Sequence, residues 1–189
     1  MPASSHRLCH YSPMSIFDLF RWKTEGNARA GQETETVRKI VQALDQLDPE
    51  RAKFLAGFAY LLARVARSDL RISLAETRSM EQILMDRSGL PEEQAILVIQ
   101  MAKTQSILFG STENFLVSRE FKSASTREER MAVLDCLFAV AATEDLISTV
   151  EDNEISQIAD ELRIEHRDFI SIRLQYRDHL AVLQKPPAP

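Results

Sequence analysis

The chain writes one phrase twice. "VARSDLRISLAE", Val65 to Glu76, returns as "VAATEDLISTVE", Val140 to Glu151, at a constant offset of 75 residues. Without a gap the two copies share Val65/Val140, Ala66/Ala141, Ile72/Ile147, Ser73/Ser148 and Glu76/Glu151, and identity resumes at Gln82/Gln157 and Ile83/Ile158. Each copy reads as the end of a buried helix, a short turn and the start of an amphipathic helix. A chain with two such units is expected to build one core from two helical hairpins related by an approximate two-fold axis. A solenoid needs at least about three repeats.

Local chemistry explains much of the repeated wording. Ser73 to Glu76 and Ser148 to Glu151 both have the S-x-x-E spacing of a capping box. In that motif the serine oxygen accepts from the third helical N–H while the glutamate reaches back to the cap's own N–H. Ile72 and Ile147, just before the caps, are placed as hydrophobic staples for the helices that follow. Two acids at the turns, Asp69 and Glu144, have no such explanation.

Between Phe17 and Gln184 the only prolines are Pro49 and Pro91, each suited to the first turn of a helix. No alternating, β-branched run occurs, and period-3.6 patterns dominate. The patterns predict an all-α fold, a single helical bundle of about seven to eight helices. Expected helices are Thr34–Leu47, Pro49–Ser68, Leu74–Arg87, Pro91–Leu108, Glu113–Ser123, Arg127–Thr143, Thr149–Leu162 and Arg167–Leu183. Asp48 is an N-cap, Gly89 and Gly110 are C-terminal stops, and "TREE", Thr126 to Glu129, is a capping box. The helices from Pro49 and from Arg127 are the most apolar all round, so they are expected to form the buried central pair.

Flanking these helices are a polar leader, residues 1–30, and a tail, residues 185–189, which reads as disordered; the helical domain spans 31–184. Met14 is a possible true start, and from it runs "MSIFDLFRW" with Phe17, Leu19, Phe20 and Trp22. Those aromatics suit a flap on the bundle, or a membrane surface or membrane protein. The longest uncharged apolar run, "FLAGFAYLLA", is about half of the roughly 20 residues that span a bilayer, and no secretory pattern precedes it. Cys136 sits in the apolar run "CLFAVAA" and reads as a buried thiol unsuited to pairing with Cys9. These features predict a cytoplasmic protein, with membrane association open through the leader. A net charge of -5 argues against a nucleic-acid partner, which needs a positive field.

No H-E-x-x-H, C-x-x-C, G-x-S-x-G or phosphate-cradling glycine loop is present, so no catalytic residue or cofactor site is assigned. A carboxylate-based hydrolase is the least favoured alternative and would need several acids in a deep pocket. The opening half of an EF-hand is missing as well. With Glu76 or Glu151 as the closing ligand, Leu70 or Asp145 would stand at the required glycine.

The pattern (V)A-x-[ST]-[DE]-x-x-I-S-x-x-E, met twice in an all-helical chain, resembles the TerB family. That family is named for tellurite-resistance operons and is related to the N-terminal domain of the DnaJ-like co-chaperone DjlA. The resemblance covers roughly Leu47 to Leu183. It implies a bacterial, non-enzymatic interaction module in a stress-response or envelope-associated system, with a protein partner. No "HPD" occurs, so DnaJ-type activity is not expected of this chain. The resemblance also suggests, as an alternative, a divalent cation such as Ca or Mg held by Asp69, Glu76, Glu144 and Glu151, with Asp145 and Asp152 as further candidates. In the first copy Arg64, Arg67, Arg71 and Arg78 surround the acids and compete with a cation for Asp69 and Glu76. A cation site is therefore expected to lean on the acidic second copy. Salt bridges between the copies are the plainer use of these charges.

Overall fold

Several helix ends fall where short-range chemistry puts them. The computed structural model describes residues 31–66, 74–105, 114–144 and 146–184. Among them run eight α-helices and no strand: α1 Gly31–Asp45, α2 Pro49–Val65, α3 Leu74–Ser88, α4 Glu92–Gln105, α5 Asn114–Ser123, α6 Arg127–Ala141, α7 Thr149–Glu161 and α8 His166–Gln175. The fold is an all-α bundle, as expected.

At the start of α2, the Asp48 carboxylate accepts from the Glu50 N–H at 2.9 Å and the Arg51 N–H at 3.4 Å, with Pro49 in the first turn. Thr126 and Glu129 open α6 with a complete capping box. Gly89 ends α3 at φ 67°, and its N–H donates to the Met85 carbonyl at 3.0 Å. Pro91 stands one residue before α4 and supplies the carbonyl that accepts from Ala95 N–H.

The centre is the expected pair. Helix α2 buries residues on every side, from Ala52 through Leu55, Phe58 and Leu62 to Val65, and α6 does so from Val133 to Ala141. The helices after the repeated turns cross over: α3 packs on α6, and α7 packs on α2. Each repeat therefore completes the core of the other. Leu84 of α3 and Ile155 and Ile158 of α7 are fully buried, and a buried side chain of that size stabilises by about 1.5–3 kcal/mol.

Several expected helices end early: α1 stops at Asp45, two residues before Leu47, and α7 at Glu161, one before Leu162. Helix α6 tightens into a 3-10 turn over Ala142–Glu144, so the expected end at Thr143 lies in that turn. The last helix, expected to reach Leu183, stops at Gln175 and is followed by 3-10 turns at Arg177–His179 and Ala181–Leu183. There the buried Tyr176 donates its phenol to Asp135 Oδ1 of α6 at 2.6 Å. The chain then stretches, since a 3-10 turn rises about 2.0 Å per residue against 1.5 Å for an α-helix, and Leu180 reaches Ile147. No Gly or Pro marks that break. Gly110, the first repeated turn at 67–73, the leader and the tail lie outside the described residues.

Candidate functional site: the second junction

Between α6 and α7 the second copy of the repeat is visible as chemistry. Ser148 Oγ accepts from the Glu151 N–H at 3.2 Å, and the Ser148 N–H donates to Glu151 Oε2 at 2.9 Å. That is the reciprocal box its spacing predicts. The staple expected of Ile147 is not formed as such. Its partner position in the first turn of α7 falls on Asp152, a carboxylate. Ile147 is instead fully buried in the core and pairs by its main chain with Leu180 in an isolated parallel bridge.

Asp152 is buried, and its two oxygens accept from Arg173 of α8, from Nε at 2.7 Å and Nη2 at 2.6 Å. A bidentate guanidinium–carboxylate pair fixes both distance and angle, so it sets how α7 and α8 meet. The Asp152 charge also raises the Arg173 pKa, chiefly through the hydrogen bond.

A larger cluster lies behind the junction. Arg64, at the end of α2, is buried; its Nε donates to Glu154 Oε1 at 2.7 Å, and Nη1 and Nη2 donate to Glu161 at 2.6 and 3.2 Å. Ser118 of α5 donates to Glu161 Oε2 at 2.5 Å and accepts from Arg64 Nη1 at 3.3 Å. Gln157 Nε2 donates to Glu161 Oε1 at 3.0 Å. Burial pushes the Glu161 carboxyl up, but the bonds from Arg64 and Ser118 and the Arg64 charge outweigh it and hold it below the usual carboxylate range. The Arg64 guanidinium joins the first copy to Glu154 and Glu161 of α7, while the acids of its own copy, Asp69 and the Glu76 side chain, lie outside the described residues. Salt bridging between the copies is thus what this arginine does.

Of the expected cation ligands, Glu151 is buried and committed to the capping box, and Asp152 to Arg173. Asp69 and Asp145, and the side chains of Glu76 and Glu144, lie outside the described residues. Among the described residues no group of three or more His, Cys, Asp or Glu side chains is placed to hold a metal ion.

The residues that organise this region and that sequence reasoning missed are Arg64's partners Ser118 and Glu161, Arg173, and the Tyr176–Asp135–Arg87 group. Arg87 Nη1 donates to Asp135 Oδ2 at 3.1 Å. Burial first, and then its bond to Asp135, push the Tyr176 phenol far above its usual range. Burial and the neighbouring Asp135 charge push the Cys136 thiol up to about 12, so it is neutral and unreactive at physiological pH. Arg64 alone gave a signal, as the charge that closes the longest apolar run.

The fold and its junction define a class: an all-α domain of two cross-packed helical units whose sequence carries an S-x-x-E turn in each. The family model described as Tellurite resistance protein TerB matches residues 55–174, well over half of the chain and across both turns. The chain belongs to the TerB family. No curated protein and no solved structure matches it. No helix among the described residues is long and apolar enough to cross a membrane.

Proposed function

We propose that this TerB-family domain is a non-enzymatic interaction module of a stress-response, tellurite-resistance-like or envelope-associated system, and that it meets a protein partner at the second junction. One observation carries the reading. The described acids of the junction are bonded internally, Glu151 to Ser148, Asp152 to Arg173 and Glu154 to Arg64, while Leu146 and Val150 face solvent. Apolar side chains among neutralised charges gain from being covered by another protein.

A photoreactive residue in place of Val150 tests this in cells of the native host grown with and without tellurite. A discrete protein adduct at Val150, absent when the same residue replaces the exposed Arg167, is expected. Equal labelling from both positions, or none from Val150, removes the reading. The leader belongs to the same proposal through Phe17, Phe20 and Trp22, which would touch a membrane surface or a membrane protein. Trp22 is the only tryptophan, so a blue shift of its emission on adding anionic vesicles, lost in Phe17→Ser/Phe20→Ser, would follow surface binding.

The second reading is a divalent-cation site on Asp69, Glu76, Glu144 and Glu151. The concentration of carboxylates at both repeated turns in the sequence favours it. Calorimetric titration with Ca and Mg compares the native chain with Glu144→Gln/Glu151→Gln. Saturable heat lost in the double variant would put the ion in place of the partner; no heat in either removes it.

A further inference from the structure

After Tyr176 the chain does not simply trail away. Residues 177–184 turn back over the second junction. The Ile147 N–H donates to the His179 carbonyl at 2.7 Å, and the Ala181 N–H donates to the Ile147 carbonyl at 3.0 Å. Between these bonds Leu180 is fully buried. Beyond them the segment folds on itself: Leu183 N–H donates to Leu180, Gln184 N–H to Ala181, and the Gln184 side chain to the Asp178 carbonyl.

Both sides of this contact stay apolar and open. Val182 and Leu183 of the segment are 54% and 55% exposed, and Leu146 and Val150 of the junction 47% and 77%. The fifth large apolar side chain exposed among the described residues, Leu174, is on α8. The bridge belongs to no ladder, so it opens without cooperative loss of neighbouring pairs. Nor does opening require α8 to leave. Phe169, Ile172 and Tyr176 are buried under it, and Arg173 is tied to Asp152.

We propose that residues 177–184 are a strap bound in cis to a groove for an extended peptide. When the strap lifts, the N–H and carbonyl of Ile147 and the space filled by Leu180 take up a partner segment that presents a leucine between small or apolar neighbours. Main-chain pairing of this kind supplies affinity, and a side-chain pocket beside it supplies selectivity. The strap is itself a sample of the ligand: His179-Leu-Ala-Val182 fits because it is already seated. The inference deepens the reading of the junction as an interaction site and rests on it, but its test needs no partner.

Hydrogen exchange on the intact chain, followed amide by amide, is the experiment. Ile147 and Ala181 amides are expected to exchange at matching rates, about 100-fold or more faster than the buried α6 amides of Leu137 and Phe138. Exchange of Ile147 in step with α6 would overturn the strap. In the full chain carrying Leu180→Asp, Ile147 exchange should rise further while α8 amides hold. Added peptide of residues 177–184 should then bind saturably and slow Ile147 again, and a peptide with the same Leu180→Asp change should bind at least about 10-fold more weakly. A folded Leu180→Asp chain that ignores the native peptide refutes the groove; a chain too damaged to fold leaves the decision to the intact-chain exchange. Fast, paired exchange together with no crosslink at Val150 keeps the strap and removes the interaction reading, so the two failures are distinct.

Discussion

Gly57 and Phe121 share a space with no room for another carbon. A Cβ at Gly57 would lie 2.7 Å from Phe121 Cδ2 and 2.9 Å from its Cβ. Phe121 is fully buried, and its ring stacks on Phe54 with centroids 5.2 Å apart, so it has nowhere to withdraw. Gly57→Ala gains about 1 kcal/mol of helix propensity and overpacks by up to about 3 kcal/mol. The expected outcome is a net loss of about 1–2 kcal/mol, read as a Tm lower by several degrees; an unchanged Tm would mean that α5 moves aside. A second backbone position makes the opposite prediction. Arg163 ends α7 at φ 56°, where its N–H donates to Asp160 and that of Ile164 to Ala159, a Schellman arrangement that normally selects glycine. Gly89 ends α3 in the same left-handed conformation, at φ 67°, with a single bond from its N–H to Met85. Arg163→Gly should therefore stabilise by about 1 kcal/mol, and a denaturation midpoint that falls would contradict this. The glycine was legible in the sequence as a stop. The arginine was not, because nothing about that residue type announces a left-handed turn.

At the scale of elements, the caps at Asp48, Thr126 and Ser148 were readable because each bond joins residues two or three apart. The Arg64 cluster was not, because its carboxylates lie 90 and 97 residues away. Only the crossing of α7 over α2 brings them together. An arginine closing an apolar run says that a charge ends a buried helix, and leaves open which acid meets it. Removing the Glu161 charge from that buried set leaves Arg64 short of a partner, so Glu161→Gln is expected to lower stability by about 2–3 kcal/mol near neutral pH. The pH dependence has a definite sign. The folded Glu161 carboxyl titrates below its unfolded value of about 4.3, so its contribution is complete above about pH 5 and is lost as pH falls through the folded value. The gap between native and Glu161→Gln chains in urea unfolding should then shrink progressively as pH falls below the unfolded value of about 4.3. A gap that stays constant over that range would show that Glu161 acts through shape and not through charge. The end of α8 was hidden for a related reason: Tyr176 and Leu180 are held by Asp135 and Ile147, contacts that no turn residue signals.

Over the whole molecule the duplicated phrase has its strongest consequence, because the two copies do not build separate cores. Helix α2 lies against α1 and α4 of its own half and against α5, α6 and α7 of the other, and α3 lies on α6. Since α2 is apolar on every side, the first half alone would expose the faces that meet α5, α6 and α7, and would leave Arg64 without Glu154 and Glu161. The second half would expose the α6 surface that Leu84 and its neighbours on α3 cover. A helix apolar all round is stable only when enclosed, and short helices draw most of their stability from such packing. Peptides spanning residues 31–105 and 114–184 are therefore expected to show weak helicity and no cooperative melt when studied separately. Mixed in equal amounts, they should regain both, with a midpoint that rises with concentration because assembly has become bimolecular. Circular dichroism on each half and on the mixture is sufficient to check this. Cooperative melting of either half by itself would show that the repeats fold as independent units and that the crossing of α3 and α7 is only a docking of finished pieces.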